Sequence, residues 1–152
     1  MTEFTEDEKR TLSVLVDMIV PASATFGVPS AADPAIFADI LSDAARHRER
    51  LGTALAALDG LARSGHGVGF ADLSADQRNG VVETFRDCHA DDANLVATLT
   101  TQCYYRDDRV MLSIGMEPRP PHPKGYEVEQ GDWSLLDPVR KLDDIYRKTS
   151  QP

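Results

Sequence analysis

Helix-start signals recur along this chain, and nowhere between them do apolar and polar residues alternate long enough to make a strand. Thr5 with Glu8, and Ser74 with Gln77, form capping boxes in which each side chain satisfies the other residue's backbone N–H. Asp33-Pro34 and Asp137-Pro138 each set an N-cap carboxylate before a proline at the first helical position, where an N–H would go unpaired anyway. Asp91 or Asp92, and Asp107 or Asp108, stand where further N-caps are needed. The chain reads as all-α.

Apolar stripes at helical spacing follow these starts. Leu12, Leu15, Val16 and Ile19 make the first, which must stop before Pro21 because the residue preceding a proline is pushed out of the α region. Ile36, Phe37, Ile40, Leu41 and Ala44 make the second. After the polar run 46–50, Leu51, Leu55, Leu58 and Leu61 resume it, and the pattern leaves open whether this is one long helix or two. Ser64 through Gly69 reads as a helix end and loop. Val81, Val82 and Phe85, then Leu95, Val96 and Leu99, then Val110, Met111 and Ile114 mark three more helices, the last stopped by Gly115. A final helix from Asp137-Pro138 carries Val139, Leu142, Ile145 and Tyr146. The expectation is a single small domain, 1–152, of about five to seven helices. It has a helical core over 5–112, an irregular Pro/Gly-rich docking segment over 113–133 and a terminal helix over 134–149.

That irregular segment is the oddity of the chain. Four of the nine prolines lie between Pro118 and Pro123, so the run is neither helix interior nor central strand. It also exceeds the roughly 12–15 residues beyond which a loop in a compact domain is functional or disordered. It keeps large anchoring side chains that a solvated linker does not need. Tyr104 and Tyr105 just upstream are adjacent on a helix, so one packs inside while its neighbour points out. Tyrosine and tryptophan bury large area while keeping a polar tip, which suits interface centres. The candidate partner interface is therefore Tyr104, Tyr105, Met116, Pro120, Pro121, Gly125, Tyr126 and Trp133. Folding back of Tyr126 and Trp133 onto the chain's own helices is the competing structural reading.

The chemical inventory names no catalytic, cofactor-binding or metal-binding residue. A net charge of −9 disfavours nucleic acid, whose phosphates require clustered Lys and Arg. No apolar run approaches a membrane-spanning length. Cys88 and Cys103 match no zinc pattern and read as free thiols, with a bridge between adjacent helices left open. Cys88-His89 are neighbours, but successive helical residues point about 100° apart and make no dyad on that basis. His47, His66, His89 and His122 lie in four separate segments, and the paired aspartates are explained as caps. The Gly65–Gly69 glycines lack both the G-K-[ST] and the preceding strand of a phosphate loop, and no dinucleotide fingerprint occurs.

The order of landmarks resembles the gluconate 2-dehydrogenase subunit 3 family, the small subunits of flavin-dependent sugar and polyol dehydrogenases. The matching pieces are Leu12 to Pro21, Ala56-Ala57-Leu58-Asp59, Gly69-Phe70-Ala71-Asp72-Leu73-Ser74 with Gln77, and Tyr104-Tyr105-Arg106-Asp107. They continue with Ile114-Gly115, Pro123-x-Gly125-Tyr126, and a tryptophan before a terminal basic helix. The resemblance implies a helical escort without cofactor of its own, bound to a large flavoprotein that holds FAD and performs the oxidation. Some such complexes add a cytochrome c-type acceptor. Family members often begin with a twin-arginine signal, which is missing here. A cytoplasmic complex is the expectation, or a periplasmic one if a partner carries the chain or a signal was removed. The alternatives are a free-standing helical adaptor with another partner, and a small helical enzyme using Cys88 and His89.

Overall fold

Both capping boxes close. In the computed structural model, which describes residues 3–143, Thr5 Oγ1 accepts from the Glu8 N–H at 3.2 Å while Glu8 Oε2 accepts from the Thr5 N–H at 2.7 Å. The Ser74–Gln77 pair does the same at 3.4 and 3.0 Å. These caps open α1 (Glu6–Ile19) and α4 (Ala75–Cys88), and Asp33 opens α2 (Pro34–Ala44) by accepting from the Ala35 N–H. The chain divides into two compact units, Met1–Pro118 and Arg119–Pro152.

In Met1–Pro118 the polar interruption is a 3-10 turn, Ala45–His47, and α3 (Arg48–His66) follows it, so there are two helices rather than one. α3 runs through Ser64 and Gly65, later than its sequence suggested. It ends where Gly67 turns left-handed at φ 78°, a conformation that costs glycine little. A second 3-10 turn, Phe70–Asp72, leads into α4. α5 (Ala90–Tyr104) corrects the expected cap: His89 takes the N-cap position, and Asp91 and Asp92 fall inside the first turn. The reason is space. His89 alone joins the two helices, its N–H held by Phe85 O and its carbonyl accepting from Asp92 and Ala93. The two aspartates still favour the helix N-terminus through its dipole, and Asp92 reaches Arg50 of α3 at 2.7 Å.

The core of this unit is one cluster. Leu12, Leu15 and Val16 of α1 meet Ile36 and Ile40 of α2, Leu51, Leu55 and Leu58 of α3, Phe85 of α4, and Val96, Leu99 and Tyr104 of α5. α2 packs on α5, α3 on α4, and α1 on both α3 and α5. Burying each Leu, Ile or Phe is worth about 1.5–3 kcal/mol. Thr100 is fully buried, yet its hydroxyl donates to Val96 O at 2.7 Å, so no polar atom is stranded there. The connection after α1 folds back through a single antiparallel bridge, Ser23 to Val28, and Ala31 donates to Val20 O and is itself buried.

α6 (Asp108–Ser113) completes the unit. Asp107 caps it, accepting from the Arg109 and Val110 N–H groups, and Val110 goes into the core. Gly115 at φ 78° donates to Leu112 O and Met116 to Met111 O, the paired bonds of a Schellman C-cap.

In Arg119–Pro152 the described residues form a proline loop, a 3-10 turn over Trp133–Leu136, and α7 (Asp137–Arg140). The terminal helix expected from 134 is thus a turn of tighter pitch followed by a four-residue helix. Asp132 caps the turn by accepting from the Ser134 N–H, and Asp137 pairs with Arg140 at 2.9 Å instead of capping. Ile145 and Tyr146 lie outside the described residues. None of residues 119–143 is buried.

Candidate functional site

Among the described residues, no group of three or more His, Cys, Asp or Glu side chains is placed to hold a metal ion. Cys88 is exposed at the end of α4, and the His89 ring lies stacked on Phe85, centroids 5.2 Å apart and planes 22° from parallel. His89 thus packs as an aromatic. Cys103 is buried, and burial first, with Asp43 and Asp39 opposing Arg106, pushes its thiol up to about 11. It stays protonated and donates weakly to Asp43. Both cysteines are free.

A crevice of about 200 Å³ lies between α1, α3 and the Phe70–Asp72 turn, and ion pairs fill its walls. Arg10 meets Asp72 at 2.6 Å and Arg63 meets Asp59 at 2.7 Å, while Glu8 on the wall pairs with Arg48, outside the lining, at 2.7 Å. Asp59 also accepts from the Phe70 N–H at 2.9 Å. Two glycines admit these groups: a Cβ on Gly52 would stand 2.5 Å from Arg48 Nη1, and one on Gly69 2.9 Å from Asp59 Oδ1. These residues couple helix to turn, and their charges are spent on one another.

The distinctive surface is apolar. Among the described residues, eleven of the thirteen exposed large hydrophobic side chains lie at or beyond Tyr105 in the sequence, the exceptions being Phe26 and Val68. Within one unit, a cluster of exposed apolar side chains marks a contact surface more often than scattered exposed residues do. In the first unit it comprises Tyr105, Leu112, Ile114 and Met116. The two tyrosines separate as adjacency on a helix requires. Tyr104 is buried with its hydroxyl donating to Pro29 O at 3.1 Å, while Tyr105 stands 55% exposed, its ring edge-on to Tyr104. Burial raises the Tyr104 hydroxyl above its ordinary range. Tyr104 is thus a core residue, and Tyr105 and Met116 are the surface ones.

An ion-pair clamp ties α6, which carries Leu112, to α2. Arg109 Nη2 reaches Asp33 Oδ1 at 2.7 Å and Asp107 Oδ2 at 2.9 Å, tying the N-cap of α6 to the N-cap of α2. The guanidinium, ahead of other causes, holds both carboxylates below the usual aspartate range.

In the second unit, Tyr126 closes the proline loop. Its ring lies 4.5 Å from the Arg119 guanidinium and its hydroxyl donates to Arg119 O, while Arg119 donates to Gly125 O at 2.8 Å. Gly125 takes φ 69° at that closure. Pro120 and Pro121 are exposed within the loop, and Trp133 is 64% exposed. Sequence reasoning passed over Leu112, Ile114, Val128, Leu135 and Leu136 as surface residues. Their composition is that of core positions, and only their exposure distinguishes them.

Among the described residues, no helix is long and apolar enough to cross a membrane. Neither a curated protein nor a solved structure matches the chain. A family model does, described as gluconate 2-dehydrogenase subunit 3, over residues 6–114. The match runs from the first residue of α1 to the C-cap of α6, so it takes in the whole buried core beyond Phe4 and leaves the proline loop and Trp133 outside. The chain belongs to the gluconate 2-dehydrogenase subunit 3 family.

Proposed function

We propose that this chain is the non-catalytic small subunit of a flavin-dependent sugar or glycoside dehydrogenase complex. It stabilises a large FAD-binding catalytic subunit and assists its maturation. The observation that carries this reading is that, among the described residues, eleven of the thirteen exposed large apolar side chains come at or after Tyr105 in the sequence, four in the first unit and seven in the second. The core cluster of the first unit contains none of them. The family description, a numbered subunit, supports a larger assembly. The candidate contact residues are Tyr105, Met116, Pro120, Pro121, Gly125, Tyr126 and Trp133. FAD belongs to the partner in this reading, and a cytochrome c-type subunit is the candidate acceptor.

The test is co-production with the large flavin-binding subunit of the same organism. A yellow complex should co-purify on a tag carried by this chain, and the large subunit should aggregate or lose flavin when this chain is omitted. A colourless monomer despite co-production, with a large subunit that is stable alone, overturns the reading.

A further inference from the structure

α1 and α4 each pack on α3 and on α5, and on the α5 side a trough stays open between them. It holds about 480 Å³ and is lined by buried Leu15, Phe85 and Val96 and by half-buried Met18, Ile19 and Val82. What α5 adds to the lining here is Ala93 and Ala97, one turn apart and too short to fill the space. A second recess of about 440 Å³ adjoins it along α4 and α5, and the two share Glu83, Arg86, Ala93 and Asn94. Together they make one elongated trough, apolar at the α1 end and polar at the other, where Asp87 lies.

Arg86 stands at that junction with its charge uncommitted. Every other Lys and Arg side chain of residues 3–118 is engaged, Arg78 on Ala71 O and the rest in ion pairs. Among the described residues Arg86 makes neither a hydrogen bond nor an ion pair, not even with Glu83 one turn earlier on α4, and the Asn79 and Asn94 amides on the same rim bond to nothing. A rim of one cation, one anion and two amides above apolar walls suits neither a simple ion nor a plain hydrocarbon. It suits a polypeptide, which brings apolar side chains, backbone donors and acceptors, and charges along one line. We infer that a segment of the large flavin-binding subunit lies in this trough. It seats an apolar side chain against Met18, Ile19 and Val82 and a carboxylate on the Arg86 guanidinium, whose planar fork takes both oxygens. This rests on the accessory-subunit reading above and adds a contact that reading does not name.

Competition during co-production tests it. The unaltered chain under one tag and a variant under another are produced with a limiting amount of the large subunit, and the flavoprotein recovered on each tag is compared. Arg86→Glu should lower the variant's share at least about tenfold, because a like charge then faces the carboxylate. Ala97→Leu, which fills the apolar end, should do the same. Arg46→Glu makes the same change in net charge at the turn between α2 and α3 and should stay within about twofold. Arg86 is exposed, so Arg86→Glu should melt with the unaltered chain, and it decides the matter even if Ala97→Leu melts early. Equal shares for Arg86→Glu and the unaltered chain overturn this inference and leave the accessory reading standing. An equal loss in Arg46→Glu does so too, since net charge alone is then at work. A compound held by the isolated chain in native mass spectrometry and lost in Ala97→Leu means that a small molecule fills the trough. Self-association that Arg86→Glu abolishes means that a second copy does. Either overturns the proposal. Absence of any complex with the unaltered chain overturns the accessory reading, and this inference with it.

Discussion

Arg109 grips Asp33 across 76 residues of sequence, with Nη2 at 2.7 Å from Oδ1 and Nη1 at 3.2 Å from Oδ2. The same guanidinium holds Asp107, so one side chain joins the N-caps of α2 and α6 and sets the base on which Leu112, Ile114 and Met116 stand. Arg109→Lys should not restore what Arg109→Ala removes, since an ammonium lacks the planar fork that serves two carboxylates. Asp107→Ala should cost about 1 kcal/mol as a lost cap, and Asp108→Ala much less. Chemical denaturation of the four variants checks the order.

The same clamp should make the first unit acid-sensitive. Asp33 and Asp107 are depressed chiefly by their bonds to Arg109, with burial acting against it. Glu8 is depressed too, its bonds to Thr5 and Arg48 outweighing a larger single push from burial. A depressed carboxylate contributes stability that is full above its unfolded pKa, about 3.9–4.3, and is lost as pH falls through the folded value. Melting temperature should therefore hold steady from neutral pH to about 5 and fall below about 4. The double variant D33N/D107N should flatten part of that fall, read by circular dichroism.

Asp59→Ala should destabilise the fold by about 1–2 kcal/mol, because it leaves the Phe70 N–H without its acceptor beside a buried ring. Asp59→Asn keeps an acceptor and should cost less. A fit of urea unfolding curves for the two variants separates them.

Thiol accessibility should split the cysteines. Cys88 is exposed and Cys103 is buried with its thiol pushed up to about 11, so a thiolate is scarce there at neutral pH. Titration with a thiol reagent should count one group in the native chain and both in denaturant. Fast reaction of both in the native state would contradict the placement of Cys103.

The paired tyrosines offer a contrast between core and surface. Tyr104→Phe removes the bond to Pro29 O and should cost about 1 kcal/mol of stability. Tyr105→Ala should leave stability within about 0.5 kcal/mol and weaken association with the large subunit. Tyr126→Ala should weaken association more than it unfolds the first unit, since its ring closes the proline loop around Arg119.

Sequence by itself determined where α1, α2, α4 and α6 begin, because caps and breakers act within a few residues. Thr5–Glu8, Ser74–Gln77, Asp33-Pro34 and Pro21 each place a boundary through a local bond or a local clash. It determined the core stripe for the same reason, since period 3.6 is a property of one helix. It did not determine His89 as the junction of α4 and α5, where tertiary packing leaves a single residue between two helices. Nor did it determine which apolar residues find a partner. Leu99 and Val110 are buried while Leu112, Ile114 and Leu135 are exposed, and all five have the same chemistry. Burial is a relation between distant segments, and only the tertiary structure decided it.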